Sequence, residues 1–203
     1  MNKRIGIFGG SFNPIHVGHA IIASAIMRQQ LVDQLWFMVT PENPFKTGQE
    51  LAPEAHRLRM TELVSRRIEG ASTSAFEMQL PRPSYTIDTL NALSEKFPGD
   101  DFYLIIGADN WAQWHNWKSP DEIVNKYHVL IYPRLGFEVD IPQSLSERVK
   151  LIDAPIIEIS STHIRQLLAA GQPATFLLPD SVHSYVTTHN LYSTRRNILS
   201  PSH

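Results

Sequence analysis

Two histidines three positions apart, His16 and His19, close a segment that reads Gly9-Gly10-Ser11-Phe12-Asn13-Pro14-Ile15-His16-Val17-Gly18-His19. An imidazole N–H donates readily to a phosphate oxygen. Glycines let the backbone approach a ligand closely and adopt angles that other residues avoid. The segment follows a short apolar run and opens a helical pattern. It therefore sits where a helix N-terminus offers unpaired N–H groups and partial positive charge, a natural seat for an anion. The chemistry this combination suits is phosphate binding. The spacing is neither the Gly-x-Gly-x-x-Gly of a dinucleotide site nor a Walker loop, which would end Gly-Lys-Ser/Thr. No third nitrogen or carboxylate ligand lies at a spacing that would suggest zinc. The plain structural alternative is a pair of capping histidines beside a tight turn.

A second cluster lies near the other end of the chain, Ile159-Ser160-Ser161-Thr162-His163-Ile164-Arg165. It too falls where a strand-like run gives way to a helix. Ser160 or Ser161 can cap that helix. The hydroxyls, the free helix N–H groups and the guanidinium of Arg165, pointing back to the same end, would make a second phosphate patch.

These residues need elements to hold them. Residues 4–8 form a short apolar run ending in two glycines, as a buried first strand would. Residues 19–30 carry Ala20, Ala23, Ile26 and Met27 at helical spacing. Residues 35–39 predict a second strand, and the proline-rich residues 41–53 a loop. Helices are predicted over 54–68, 86–97, 161–170 and 179–189, and strands over 102–106, 128–132 and 156–159. Strands alternating with helices need crossover connections, so the expected fold is α/β, a Rossmann-like doubly wound parallel sheet in a single domain over residues 1–192. Ligands in such sheets sit beyond the carboxyl ends of the strands, near the topological switch point. The loops after Phe8, Val39 and Ile106 are thus where chemistry is expected. Residues 193–203 lack apolar periodicity and read as a loose tail.

Composition narrows the function classes. The chain has 203 residues, 42% hydrophobic and 19% charged, with a formal net charge of -2 and no cysteine. Its length suits one domain that buries roughly 70% of the surface of the unfolded chain. Absence of cysteine excludes disulfides, thiolate metal sites and thiol nucleophiles. The near-neutral balance speaks against nucleic acid as a partner, since backbone-phosphate binding needs an excess of Lys and Arg. Residues 5–8 are too short for a signal-peptide core, and no stretch reaches the 18 or so apolar residues of a membrane helix, so a cytoplasmic protein without membrane contact is expected. The sequence leaves a homo-oligomer open.

The first segment resembles the His-x-x-His signature of the nucleotidyltransferase superfamily related to class I aminoacyl-tRNA synthetases, and the second resembles its Ile-Ser-Ser-Thr-x-Ile-Arg partner. From residue 3 to about residue 192 the chain is similar to nicotinate-nucleotide adenylyltransferases. The resemblance implies ATP and nicotinate mononucleotide as substrates, deamido-NAD and pyrophosphate as products, and Mg²⁺ bound mainly through substrate phosphates. It implies catalytic roles for His16, His19 and Arg165. It implies ATP or phosphate contacts from Gly9, Gly10, Ser11, Phe12, Gly18, Ser160, Ser161 and Thr162. Gly107 and Asp109, in Ile105-Ile106-Gly107-Ala108-Asp109, would hold the nucleotide ribose. Lys46, at the end of Pro41-Glu42-Asn43-Pro44-Phe45-Lys46, would face substrate phosphate. Tyr85 and Thr86, in Pro83-Ser84-Tyr85-Thr86, would line the pyridine pocket, with Thr86 capping the helix it opens. Trp117 would stack on the pyridine, with Trp111 and Trp114 as neighbours able to take that part. Two positions depart from the family pattern: Asn13 stands where many relatives carry Asp, and Lys118 where many carry Tyr. The competing expectations are a preference for nicotinamide mononucleotide, a different acceptor such as phosphopantetheine, and a non-catalytic nucleotide sensor that keeps the pocket.

Overall fold

The computed structural model describes residues 2–41 and 51–193. Its centre is a six-stranded, all-parallel sheet in the order β3-β2-β1-β4-β5-β6. The strands are β1 Arg4–Gly10, β2 Gln34–Val39, β3 Ala71–Ser74, β4 Asp101–Gly107, β5 His128–Tyr132 and β6 Val149–Leu151. The main helices are α1 Val17–Arg28, α2 Glu54–Ser65, α3 Thr86–Lys96, α4 Ala108–Trp111, α5 Pro120–Lys126, α6 Ser161–Ala169 and α7 Asp180–Thr188. Among the described residues, no helix is long and apolar enough to cross a membrane.

The central strands are apolar on both sides because both faces are covered. Strand side chains alternate between faces. Ile5 and Ile7 of β1 pack with Leu104, Ile106 and Val129 under α3 and α5, through Leu90, Leu93 and Ile123. Phe8 turns the other way, joining Phe37, Ile105 and Leu130 against α1 and α2, through Ile26 and Met60. α7 closes that second face with Val182 and Val186. β1 pairs with β2 on one side and with β4 on the other. The sheet order reverses there, so the connections leaving β1 and β4 run to opposite faces and a crevice opens at their carboxyl ends.

Several elements differ from the sequence expectation. Residues 156–159 form no strand. The sixth strand is Val149–Leu151, which pairs with Val129–Ile131 and uses the available sheet edge. Residues 156–159 pair with no strand, and Ile156 is left 54% exposed. β3 was not foreseen, because Ala-Ser-Thr-Ser carries no apolar run. It is a short edge strand made by backbone pairing with β2. α2 stops at Ser65, three residues before the expected end. α5 has Pro120 in its first turn, where the missing N–H costs nothing, and was likewise not foreseen.

Candidate active site

A cleft of about 360 Å³ lies at the carboxyl ends of the strands. Its floor is the turn after β1. Gly9, Gly10, Ser11 and Phe12 line it, and the turn delivers His16 as the N-cap of α1. His16 is extended at φ −137°, as a cap residue must be, and its backbone N–H donates to Nδ1 of His19 at 3.2 Å. The two rings lie face to face, with centroids 3.8 Å apart and 29° between planes. With its Nδ1 lone pair used in this way, neutral His19 carries its proton on Nε2, as a donor. Phe8 and Phe12 pack against the His19 ring and restrict its orientation.

His16 is buried, at 4% exposure. Burial, and to a lesser degree the nearby Arg134 cation, push its pKa down to about 3. His16 is therefore neutral at pH 7. Gly18 does not line the cleft. A Cβ there would come within 3.0 Å of His16 Nδ1 and 3.2 Å of Ile157. The glycine permits the close packing that holds His16.

The second phosphate patch meets the first. Ser160 is the N-cap of α6, its hydroxyl accepting the His163 N–H at 3.2 Å. Ser161 instead donates its hydroxyl to the carbonyl of Pro14 at 2.9 Å, tying α6 to the glycine turn. Arg165 reaches back across the helix end. Its Nη1 donates to the Asn13 carbonyl at 2.8 Å and its Nη2 to Thr162 Oγ1 at 3.3 Å. Ser160, Ser161, Thr162 and Arg165 all line the same cleft as His16 and His19.

The far wall comes from β4 and the turns around α3 and α5. Gly107 ends β4, and Asp109 follows in α4. A Cβ on Gly107 would collide with the Asp109 carboxylate and meet the Tyr132 ring at 3.1 Å, so only glycine leaves Asp109 where it is. Tyr85, Thr86 and Trp117 line the cleft on this side. Trp111, Trp114 and Trp117 form a ladder with centroids 5.2 and 5.1 Å apart, and of the three only Trp117 reaches the cleft. Thr86 does not cap α3. Tyr85 holds the extended cap position, while Thr86 already lies in the helix. The Tyr85 carbonyl accepts the N–H and the hydroxyl of Thr89. Lys46 lies outside the described residues.

The two departures from the family pattern have structural explanations. Asn13 is buried, and its side-chain oxygen accepts the Ala52 N–H at 3.0 Å and the Tyr192 hydroxyl at 2.8 Å. A neutral amide does this without burying a charge. Lys118 pairs with Asp88 at 2.9 Å and lies over the Tyr85 ring, 4.6 Å from its centroid.

Two charged residues of the cleft, Arg134 and Glu77, are not marked by the sequence reading. Arg134 sits two residues past β5, 3.7 Å from Asp109, and stacks on the Tyr132 ring. The rule that sites form beyond strand carboxyl ends points to it, since β5 is one of the expected strands. Glu77, in a single turn of 3-10 helix, accepts the Ser84 hydroxyl at 2.7 Å, and burial raises its pKa against that hydrogen bond. Nothing in the sequence near Glu77 marks it. Among the described residues there is no cluster of three or more His, Cys, Asp or Glu side chains able to cage a metal ion.

Comparison with known proteins agrees with this geometry. Residues 7–167 match the cytidylyltransferase-like family. A Bacteroides thetaiotaomicron protein named "Probable nicotinate-nucleotide adenylyltransferase" is 45% identical over 183 residues, 90% of each chain. A Flavobacterium johnsoniae protein of the same name is 40% identical, covering 93% of this chain and 98% of its own. The fold superposes on Plasmodium falciparum nicotinic acid mononucleotide adenylyltransferase in its complex with NaAD, with a TM-score of 0.78 at 22% identity over 94% of this chain and 98% of that one. The phosphate turn, its serine-rich counterpart and the length of these matches agree in placing the chain in the nicotinate-nucleotide adenylyltransferase family of cytidylyltransferase-like nucleotidyltransferases.

Proposed function

We infer that this chain transfers the adenylyl group of ATP to nicotinate mononucleotide, forming deamido-NAD and pyrophosphate in NAD synthesis. The observation that carries the reading is the convergence of His16, His19 and Arg165 on one cleft from opposite ends of the chain. The family relationship supports it, as do the Plasmodium structures in complex with NaAD and with APC.

The 5′-phosphate of the mononucleotide attacks the α-phosphorus of ATP in line. The new P–O bond forms as the bond from the α-phosphorus to the β-phosphate oxygen breaks, and pyrophosphate carries away the electron pair. The attacking phosphate is ionised at neutral pH, so no strong base and no covalent enzyme intermediate are needed. Catalysis rests on positioning and on stabilising the charge of the transition state. His19 donates from Nε2 to oxygens of the reacting phosphates, and neutral His16 assists from beneath. Arg165, the Ser160 hydroxyl and the N–H groups at the start of α6 receive the departing pyrophosphate. The Ser161 hydroxyl is directed at Pro14, so its contribution is its backbone N–H. Arg134 adds positive charge on the same side. Gly107 and Asp109 hold the ribose, Trp117 stacks on the pyridine, and Tyr85 and Thr86 wall the ring. Lys46 takes acceptor phosphate. The cleft offers two carboxylates, Glu77 and Asp109, rather than a cage, which fits a Mg²⁺ ion held mainly by phosphate oxygens and water. That ion would supply charge neutralisation across the triphosphate.

The test is turnover of the purified chain with ATP and Mg²⁺ and, separately, nicotinate or nicotinamide mononucleotide. Dinucleotide and pyrophosphate should form in equal amounts with the nicotinate substrate. Faster turnover of the amide would reassign the acceptor. Binding of ATP without pyrophosphate release from either mixture would leave a sensor.

A further inference from the structure

Beneath the cleft lies a charged side chain that does not line it. Arg57 of α2 is 1% exposed and, among the described residues, is the largest of the fully buried side chains. Its guanidinium donates to four backbone carbonyls from three separate segments. Nη1 reaches Ser11 at 2.9 Å and Thr40 at 2.6 Å, Nη2 reaches Pro41 at 3.1 Å, and Nε reaches Ala52 at 3.0 Å. Ser11 and Thr40 line the cleft, whereas Arg57 does not. Ala52 passes the connection on, because its N–H donates to the Asn13 side chain at 3.0 Å. The same Asn13 oxygen takes the Tyr192 hydroxyl at 2.8 Å, and the Asn13 carbonyl takes Arg165 Nη1 at 2.8 Å.

We infer that Arg57 and Tyr192 are positioning residues, which fix Asn13 from two sides and so set where Arg165 stands in the cleft. The inference rests on the reading of the cleft given above. The chemistry explains the choice of arginine. A buried cation must be solvated by the protein, and here peptide carbonyls do it. Four carbonyl acceptors suit the five N–H donors of a guanidinium fork, whereas lysine has three donors at a single point. Arg57 joins the turn after β1, at Ser11, to Ala52 just before α2, and Ala52 in turn donates to the Asn13 side chain in that turn. Fixing them decides the position of the carbonyl that Arg165 grips. Tyr192 does the same from beyond α7, with its hydroxyl buried enough that ionisation is strongly disfavoured.

The experiment is steady-state kinetics of the full chain with Arg57→Lys, Tyr192→Phe, Arg165→Ala and the double variant Arg57→Lys/Arg165→Ala, each checked by circular dichroism to be folded at the assay temperature. Arg57→Lys should lower kcat about 100-fold, the size expected when a reacting group is displaced by about 1 Å. Tyr192→Phe should lower it about 3- to 10-fold, the value of one hydrogen bond. The double variant should be no slower than Arg165→Ala alone, because both changes act through one guanidinium. A purely architectural role predicts wild-type kcat per folded molecule in Arg57→Lys, and an effect on turnover that bypasses Arg165 predicts a double variant that loses both factors; either result overturns the inference. Should Arg57→Lys not fold, Tyr192→Phe decides alone, and wild-type kcat in that folded variant overturns it. A wild-type chain without turnover would remove the reading of the cleft and this inference together. Wild-type turnover with unaltered variants would remove only the inference.

Discussion

The rings of His16 and His19 stack with centroids 3.8 Å apart, and the backbone N–H of His16 holds Nδ1 of His19 at 3.2 Å. One histidine thus fixes both the orientation and the tautomer of the other. In the proposed reaction the pair works as a unit, with His19 as the donor and His16 as its buried support.

His19→Ala should therefore lower kcat by about 10²–10³, the usual cost of one preorganised donor to a developing charge. The KM for ATP should change much less, since the triphosphate keeps Arg165 and the helix ends. Initial rates over a range of ATP concentrations check this. A folded variant with full kcat would remove His19 from the reaction.

The buried His16 makes stability depend on pH. Its pKa in the folded chain is about 3, against 6.5 for the ordinary imidazole. Between those values the unfolded chain binds a proton that the folded chain refuses, so stability falls as pH drops below about 6.5 and levels off near 3. Above 6.5 the group contributes no pH dependence. The slope reaches about 1.4 kcal/mol per pH unit. Urea unfolding of the wild type and His16→Asn at several pH values measures it. The wild type should lose stability relative to the variant on going from pH 7 to pH 4. Parallel curves would contradict a neutral, desolvated imidazole.

Gly107→Ala should weaken ATP binding by about 10-fold or more, the weight of a hydrogen bond to a charged group. The added methyl would meet the Asp109 carboxylate and the Tyr132 ring, forcing Asp109 from its place beside Arg134. Calorimetric titration with ATP reads the effect. Unchanged affinity would show that Asp109 does not hold the nucleotide.

Trp117→Ala should raise the KM for the mononucleotide about 5- to 150-fold, from the 1–3 kcal/mol of ring stacking on an aromatic side chain. Trp114→Ala should do less, because Trp114 meets Trp117 but not the cleft. Steady-state kinetics with the mononucleotide varied separates the two. Equal losses in both variants would assign the effect to the ladder rather than to stacking.

The sequence by itself determined the local chemistry. The glycine turn, the two histidines, the serine-rich cap and Arg165 are written in contiguous segments, and their residue types point to phosphate binding before any fold is known. The central strands were legible too, because strands buried on both faces read as unbroken apolar runs. What only the tertiary structure decided is long-range partnership. β3 is polar and exists because β2 has a free edge; residues 156–159 are apolar and form no strand because residues 149–151 hold the other edge. Arg134 and Glu77 enter the cleft, and Arg57 lies beneath it, for the same kind of reason. Hydrophobic periodicity reports which face of an element is buried, but not which element covers it. The hydrogen bond from Arg165 to Asn13 spans 152 positions of chain, and only the packed sheet brings those two residues together.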